Sequence, residues 1–579
     1  MRILTLHCDY IKFKPLKKAV KSIDDLKDMK EKEVIEPLVV LTAVEKGDNE
    51  EILKKYIESI KKTAGEVKAK NIVIYPYAHL SSNLSDPKTA EDFMKSAEKT
   101  LSDEKYLVTR APFGYYKEFE LKCKGHPLSE LSKEFRNTDP NAEEASTKTQ
   151  RKIIGSSSNE VIDSKKLLRE ISRSKLDTSK LKDNDHRILG QKLDLFSFNE
   201  VAPGMVFWHN NGLIIYNELA NFWRDEHRKA NYQEISTPQI LDKRLWLLSG
   251  HWDKYKDNIF LTGYEDKEFA VKPMNCPGGM LVYKTSSKSY KDLPLRVGEL
   301  GVVHRQELSG VLAGLFRVIK FTQDDAHIFC TEEQLEDEIA SIIELIDKVY
   351  AKFGFSYRVE LSTRPEKRIG DEKLWDKAES ILESVMKKRK MEFKVNPGDG
   401  AFYGPKIDFH IKDSLGRTWQ CATIQLDFAM PERFELEYID NKNSVKRPVM
   451  LHRVIYGSLE RFIGILLEHL NGNLPLWLSP IQARVINFTD RNTESCKRFI
   501  EKVKDSLPQL RIDSDYRSTT INDKIRDAEM QKIPLIIVIG DKEEQAGTIA
   551  LRERGKKPSF GIKPEDFIKD IKERIEKRI

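Results

Sequence analysis

The stretch VVHRQELSGVLAGLFRVIKFTQDDAHIF, Val302–Phe329, decides the reading of this chain. Its two apolar arms, GVVHRQE and FRVIKFTQDDAHIF, flank a Gly/Ser-containing loop, which predicts an antiparallel hairpin. Arg305, Glu307, Arg317, Gln323, Asp325 and His327 alternate with apolar residues. Period-two placement puts them on one sheet face. So many charged groups on one face are costly unless they meet ligands or each other. The alternative is a solvated face of a two-layer sandwich.

A second stretch, VMLHRVIYGSLERFIGILLEHL, reads as strand, glycine turn and helix. It places Ser458 near the helix N-cap and Arg461 in the first turn, where the helix dipole disfavours a cation. An Arg there makes sense if an anion shares the site, because helix N-termini bind phosphates.

The whole chain has 579 residues, with 98 Lys+Arg against 92 Asp+Glu, a net charge of +6. Hydrophobic residues at 39% and aromatics at 9% exclude global disorder. No apolar run reaches the roughly 18 residues a membrane span needs. The N-terminus, MRILTLHCDYIKFK, lacks an apolar signal core, and the six Cys form no spacing framework. Both point to a reducing cytoplasm and to no membrane partner. So small a net charge permits a nucleic-acid partner without announcing one. Residues 550–579, with 10 Lys/Arg against 6 Asp/Glu, read either as a solvated helix or as a surface facing a polyanion.

The first ~135 residues alternate β-branched runs (Leu38–Val44, Asn71–Tyr77) with Lys/Glu-rich helical segments (Glu50–Lys62, Ala90–Leu101), an α/β or α+β pattern. Residues 137–183, rich in Ser, Thr, Asn and Asp before Lys-rich stretches, read as a linker with some helix. A large central block follows, and from Leu476 strands and helices alternate as in a small mixed α/β domain with a partly parallel sheet.

The Arg-x-Glu hairpin and the later Gly-x-x-Glu-Arg helix start resemble motifs two and three of the class II aminoacyl-tRNA synthetases. TPQILDKRLWLLSGHWDKYKDNIF, KPMNCPG, FTQDDAHIFC, AFYGPKIDFHIKD and IQLDF resemble, in order, the core of the threonyl-tRNA synthetase family. YPYAHLSS, RAPFGYYKEF and CKGHPLSEL resemble the editing domain of its archaeal members, itself similar to D-aminoacyl-tRNA deacylases. The resemblance implies a multidomain α/β and α+β protein: a deacylase-like editing domain at 1–136, the linker at 137–183, a class II antiparallel-sheet catalytic domain at 184–475, and an α/β anticodon-binding domain at 476–579.

Carried over residue by residue, Arg305 would hold the α-phosphate of ATP and the threonine carboxylate, and Glu307 the adenine amino group. Arg317 and Arg461, with Ser458, would clamp the triphosphate, and Phe321 would stack on adenine. Arg305, Arg461 and Lys406 are the implied catalytic residues. Asp325, Gln323, Tyr403, Gln425 and Met274 would surround threonine. One zinc ion per subunit is implied at Cys276, His327 and His452; separations of 51 and 125 residues are no local ligand pattern and would not have pointed to it. ATP would come with Mg2+. Serine keeps the hydroxyl and lacks one methyl, a difference worth roughly 1–3 kcal/mol, so a second, hydrolytic site is expected. The resemblance places it at His79, Tyr116, Lys117 and Glu130. Glu543 and Arg552 would read anticodon bases.

The implied activity is attachment of L-threonine to tRNA(Thr) with editing of seryl-tRNA(Thr), by a homodimer. Two other readings share these modules: an editing-only deacylase beside a separate ligase, and a non-enzymatic tRNA-binding protein. The chain departs from the family pattern at Gly279, Ala313, Ile319 and Lys320, where His, His and Arg-Gly are usual.

Overall fold

The computed structural model describes residues 1–135 and 181–579, except 21, 22, 24, 27, 82, 127, 253–255 and 266. The chain divides into two compact units, Met1–Asn159 and Glu160–Ile579. Most of the linker expected at 137–183 lies outside the described residues.

In the first unit a seven-stranded sheet is organised around the long strand Arg2–Lys18. It pairs antiparallel with Lys32–Ile35, Pro37–Ala43, Tyr115–Cys123 and Glu130–Glu134. Pro37–Ala43 continues in parallel to Asn71–Pro76, and that strand to Leu107–Arg110. The helices run over Glu50–Val67 and Pro87–Asp103. Asn49 and Asp86 cap them by accepting the N–H of Ile52 and Thr89, and proline opens the second, where a missing N–H loses nothing. Their apolar stripes, Ile52, Tyr56, Ile60 and Phe93, Met94, Ala97, bury against Leu38, Val40, Ile72 and Ile74 of the sheet.

The second unit holds an eight-stranded sheet in the order Gln233–Glu234, Leu295–His304, Lys320–Cys330, Val449–Val454, Thr418–Asp427, Lys406–Lys412, Ser356–Ser362, Phe393–Asn396. It is antiparallel throughout except at its two outermost pairings. The helices Asn210–Lys229, Leu335–Phe353 and Leu459–His469 cover one face with one large apolar core.

The hairpin read from Val302–Phe329 is present, but its ladder is shorter than expected. Pairing runs from Leu295↔Phe329 to His304↔Lys320 and stops there. One further cross-arm bond follows, from the Arg305 N–H to Ile319 O at 2.9 Å; the Gln306 N–H then donates to Asn258 O and the Ile319 N–H to Gly204 O, so the arms diverge to other partners. Arg305, Glu307 and Arg317 therefore sit on the loop rather than on the strand face.

A second sheet in this unit has the order Ile512–Asp515, Ala483–Asn487, Leu535–Ile539, Ile549–Glu553, Ser559–Ile562, the first three parallel and the last two antiparallel. The edge strand Ser559–Ile562 escaped the sequence reading because Gly561 and the exposed Phe560 break its pattern. This domain interlocks with helices of the eight-stranded sheet. Trp477 packs on Phe222, and Arg511 pairs with Glu218 at 2.8 Å while donating to Trp477 O at 2.7 Å.

Candidate active site

One row of cross-strand neighbours builds the floor of the site. Lys406 stands opposite Gln425, Gln425 opposite His452, and His452 opposite His327. Four strands thus present four polar side chains on one face. Gln323 and Asp325 lie on the same face of the His327 strand by period two.

Cys276 reaches this row from the helix Cys276–Tyr283. The loop before that helix is fixed by a buried network: the Lys272 ammonium donates to Thr237 Oγ1 and Glu299 Oε1, both at 2.8 Å, and Glu299 accepts the Thr237 N–H at 2.8 Å. The ligand atoms of Cys276, His327 and His452 come within 4.8 Å of one another, and all three residues are buried. His452 Nε2 lies 2.9 Å from Asp427 Oδ2 and donates to it, which leaves Nδ1 with the lone pair. His327 Nε2 is buried without a hydrogen-bond partner among the described residues. Burial holds the His327 imidazole neutral, with its pKa lowered to about 4. Burial, with the Asp325 and Asp427 carboxylates nearby, pushes the Cys276 thiol well above its ordinary range. A bound cation removes that penalty by stabilising the thiolate. Two imidazoles, one of them with an orphaned nitrogen, and one thiol fit a three-ligand zinc site.

The site opens into a cavity of about 560 Å³. Its lining includes Met274, Gln323, Asp325, Tyr403, Lys406 and Gln425 toward the ligand cluster, and Arg305, Glu307, Arg317, Phe321, Ser458 and Arg461 toward the loop and helix start. Asp325 accepts from Asn275 Nδ2 at 3.1 Å, and the Tyr403 hydroxyl donates to Gln425 Oε1 at 2.5 Å. The Lys406 ammonium sits 2.9 Å from Asp408 and 3.1 Å from Asp399; burial opposes its charge, but these carboxylates raise its pKa.

At the other end the Arg305 guanidinium lies over the Phe321 ring, 5.2 Å from its centre. Arg317 donates to Glu307 at 2.8 and 3.2 Å. Ser458 caps the helix Leu459–His469 by accepting the Arg461 N–H at 3.1 Å, and Arg461 Nε donates to Phe316 O at 2.9 Å. Arg461 at a helix N-terminus and Arg305 and Arg317 on the loop line one cavity, a charge arrangement suited to an anion.

Several residues that position this site were not singled out from the sequence. Asp324 Oδ2 accepts the N–H groups of Ile455 and Tyr456, and Oδ1 that of Gly457, fixing the turn before Ser458. Buried Glu460 accepts the Thr322 N–H at 2.9 Å. His251 Nε2 lies 3.9 Å from Cys276 Sγ. None of these lies in a local pattern; contact across strands brings them in. Of the departures, Gly279 sits where an added Cβ would lie 3.4 Å from His327 Nδ1, and Ile319 is buried against Gly204.

In the first unit a separate cavity of about 490 Å³ is lined by His79, Tyr116 and Lys117 among others. Lys117 Nζ donates to Pro112 O and Tyr115 O, both at 2.9 Å, and lies over the Tyr75 ring. Burial lowers its pKa to about 8. Glu130 pairs opposite Leu6 and is exposed; it is not among the residues lining this cavity. In the C-terminal domain Glu543 accepts the Gly540 N–H at 3.1 Å, and Arg552 lies 3.8 Å from Glu529.

An antiparallel sheet with arginines on its hairpin loop and at a following helix start is the architecture of the class II aminoacyl-tRNA synthetases, and the model of the class II core domain (G, H, P, S and T) matches residues 260–470. The archaea-specific editing domain of threonyl-tRNA synthetase matches residues 1–135, and the anticodon binding domain residues 482–574. The RNA binding domain of threonyl-tRNA synthetase from Cryptosporidium parvum Iowa II is 41% identical with a TM-score of 0.65, covering 67% of this chain and 98% of that one. The chain belongs to the threonyl-tRNA synthetase family.

Among curated relatives, the threonine–tRNA ligase of Desulforamulus reducens is 55% identical over 397 residues, 69% of this chain and 62% of its own length. That of Syntrophomonas wolfei is 52% identical over 399 residues, 68% of this chain and again 62% of its own length. The chain thus spans about 62% of the length of these relatives. Among the described residues no helix is long and apolar enough to cross a membrane.

Proposed function

We propose that the chain attaches L-threonine to tRNA(Thr) through a threonyl-adenylate and hydrolyses mischarged L-seryl-tRNA(Thr) in its N-terminal domain. The observation that supports this most is one cavity lined by Cys276 and His452 of the Cys276–His327–His452 cluster, by Asp325 and by Arg305, Arg317 and Arg461.

Adenylate formation needs positioning and neutralisation of phosphate charge rather than covalent help. Arg305 bridges the threonine carboxylate and the α-phosphate, so the attacking oxygen and phosphorus are brought together and their charges offset. Arg461 and Arg317 hold the pyrophosphate that departs, with Mg2+ accompanying ATP; Lys406 adds a further cation at the cavity wall. Glu307 accepts the adenine amino group once Arg317 turns to phosphate, and Phe321 carries the ring. Asp325 accepts the threonine hydroxyl, while Gln323, Tyr403, Gln425 and Met274 close round the side chain. Cys276, His327 and His452 would hold a zinc ion, which would supply Lewis-acid affinity for the hydroxyl of threonine that valine lacks.

Serine passes that filter. In the N-terminal cavity Lys117 presents an N–H beyond the two spent on Pro112 and Tyr115, with His79 and Tyr116 beside it. Glu130 stands outside this group and enters only if the bound tRNA end extends to it. Glu543 and Arg552 read the anticodon, and the enzyme works as a cytoplasmic homodimer.

Threonine-dependent ATP–pyrophosphate exchange, with and without tRNA, tests the ligase reading. Absence of exchange above background sinks it, and hydrolysis of seryl-tRNA(Thr) then separates an editing-only deacylase from a tRNA-binding protein without activity.

A further inference from the structure

Two of the six cysteines face each other across the N-terminal sheet. Cys8 on the strand Arg2–Lys18 is paired directly opposite Cys123, the last residue of the antiparallel strand Tyr115–Cys123. The Lys124 N–H donates to His7 O at 2.8 Å, the hydrogen bond that flanks the pair on its outer side. That pattern marks Cys8 and Cys123 as a non-hydrogen-bonded pair, the narrow class with a typical Cα separation of about 4.5 Å and both side chains on one face, at the end of the ladder beside a register shift between Cys8 and Tyr10. Disulfides span Cα separations of roughly 4.4–6.8 Å, so this pair can close without moving the backbone.

The two thiols differ in access. Cys8 is fully buried, and its thiol donates to Leu6 O at 3.7 Å. Cys123 is exposed, and its Sγ lies 3.5 Å from His7 O and 3.4 Å from Ser129 O. Burial, and then the neighbouring Cys123 thiol, push the Cys8 thiol up to about 12. Cys123 is therefore the sulfur an outside reagent meets first, flanked by Lys122 and Lys124, whose ammoniums lie 3.1 Å from Asp9.

We propose that Cys8 and Cys123 form a reversible thiol–disulfide site, oxidised by low-molecular-mass disulfides. Cys123 gives up its proton and its thiolate attacks one sulfur of the reagent, breaking the S–S bond and forming a mixed disulfide, while the departing thiolate takes up a proton as the first thiol. Cys8 Sγ then attacks Cys123 Sγ, its proton passing to the second departing thiolate. Two protein thiols are oxidised to one disulfide, and the reagent is reduced to two thiols. The link fastens the strand that carries Tyr116 and Lys117 to the central strand of its sheet. The site stands independently of the proposed activity, since it rests on strand register alone.

The test is peptide mapping of the full chain, without reductant, after incubation with oxidised glutathione. A Cys8–Cys123 cross-linked species, lighter by two hydrogens and restored by dithiothreitol, is expected. Cys8→Ser should stop the reaction at a glutathione adduct on Cys123, and Cys123→Ser should leave Cys8 unmodified. A stable adduct on Cys123 of the unsubstituted chain with no cross-link, or no reaction at either cysteine, overturns the proposal. Because the unsubstituted chain decides these outcomes, poor folding of a variant does not blunt the test.

Discussion

Replacing His186 by alanine removes the pin that holds the turn Gly314–Phe316 of the hairpin loop. His186 is buried, and its two ring nitrogens have fixed roles. Nδ1 donates to Glu468 Oε1 at 2.6 Å, and Nε2 accepts the Leu315 N–H at 2.9 Å. Leu315 is the centre of the turn Gly314–Phe316, whose last carbonyl receives Arg461 Nε at 2.9 Å. The imidazole also packs on the Phe316 ring, 4.2 Å between centres. An orphaned buried N–H costs about 1–3 kcal/mol, and a hydrogen bond to a charged group is worth about 1.5–3 kcal/mol. Glu468 keeps Arg417 and the His186 backbone N–H, so the losses are less than additive. A destabilisation of roughly 3–5 kcal/mol follows, read by denaturant unfolding. If the turn shifts, Arg461 loses its orienting carbonyl, worth about 1.5–3 kcal/mol, or roughly ten- to hundredfold in kcat/KM for ATP by pyrophosphate exchange. His186→Gln, whose amide oxygen reaches the Nε2 position but loses Glu468, should fall between. Destabilisation of that size with unchanged kcat/KM for ATP would refute the link from His186 through Phe316 to Arg461.

Other perturbations separate the sites. Cys276→Ser should lose bound zinc, measured by elemental analysis, together with threonine activation; full activity in a metal-free variant rules out the ligand assignment. Lys117→Ala should charge tRNA normally while seryl-tRNA persists. In the parent chain deacylation should fall as pH rises through about 8, because deprotonation removes the N–H not spent on Pro112 and Tyr115; a flat profile there argues against that role. Burial raises the Asp324 carboxyl from 3.8 to about 6, outweighing its three backbone N–H partners. The folded chain then holds this proton more tightly than the unfolded one, so the contribution is full below about 3.8 and lost as pH rises through about 6. About 3 kcal/mol is involved. Asp324→Asn should flatten the fall in stability between about pH 4 and 7, leaving the slope from Glu460, which burial raises to about 7. Equal slopes in the two proteins would contradict it.

The sequence carried the hairpin, the Ser458 cap and the first-turn Arg461 because each is a local pattern. The period-two spacing of Gln323, Asp325 and His327 was legible for the same reason. The proposed metal ligands were not, since Cys276, His327 and His452 meet only through the register His327↔His452 and a helix arriving from elsewhere. Only likeness to a family could bring them together. The loop residues were placed correctly in sequence and wrongly in conformation. Arg305, Glu307 and Arg317 keep the parity of a strand, yet the ladder ends at His304 because Asn258 and Gly204 capture the backbone.

Parity also hid half of the QDD stretch. Reading Lys320–Cys330 for one polar face selects Gln323 and Asp325 and treats the residue between them as facing the core. Asp324 does face the core, and a carboxylate there is expensive unless its oxygens are satisfied. They are satisfied by the three N–H groups of the Ile455–Gly457 turn, which delivers Ser458 and Arg461 to the cavity. Glu460 repeats the device in reverse, reaching from the helix to the Thr322 N–H. The strand that presents Asp325 and His327 is thus tied through its hidden face to the helix start that presents Arg461. The geometry between the cysteine–histidine end and the arginine end of the cavity is set by two buried carboxylates that line neither. Their raised pKa values are the energetic trace of that arrangement, since burial for position was accepted at the expense of ionisation.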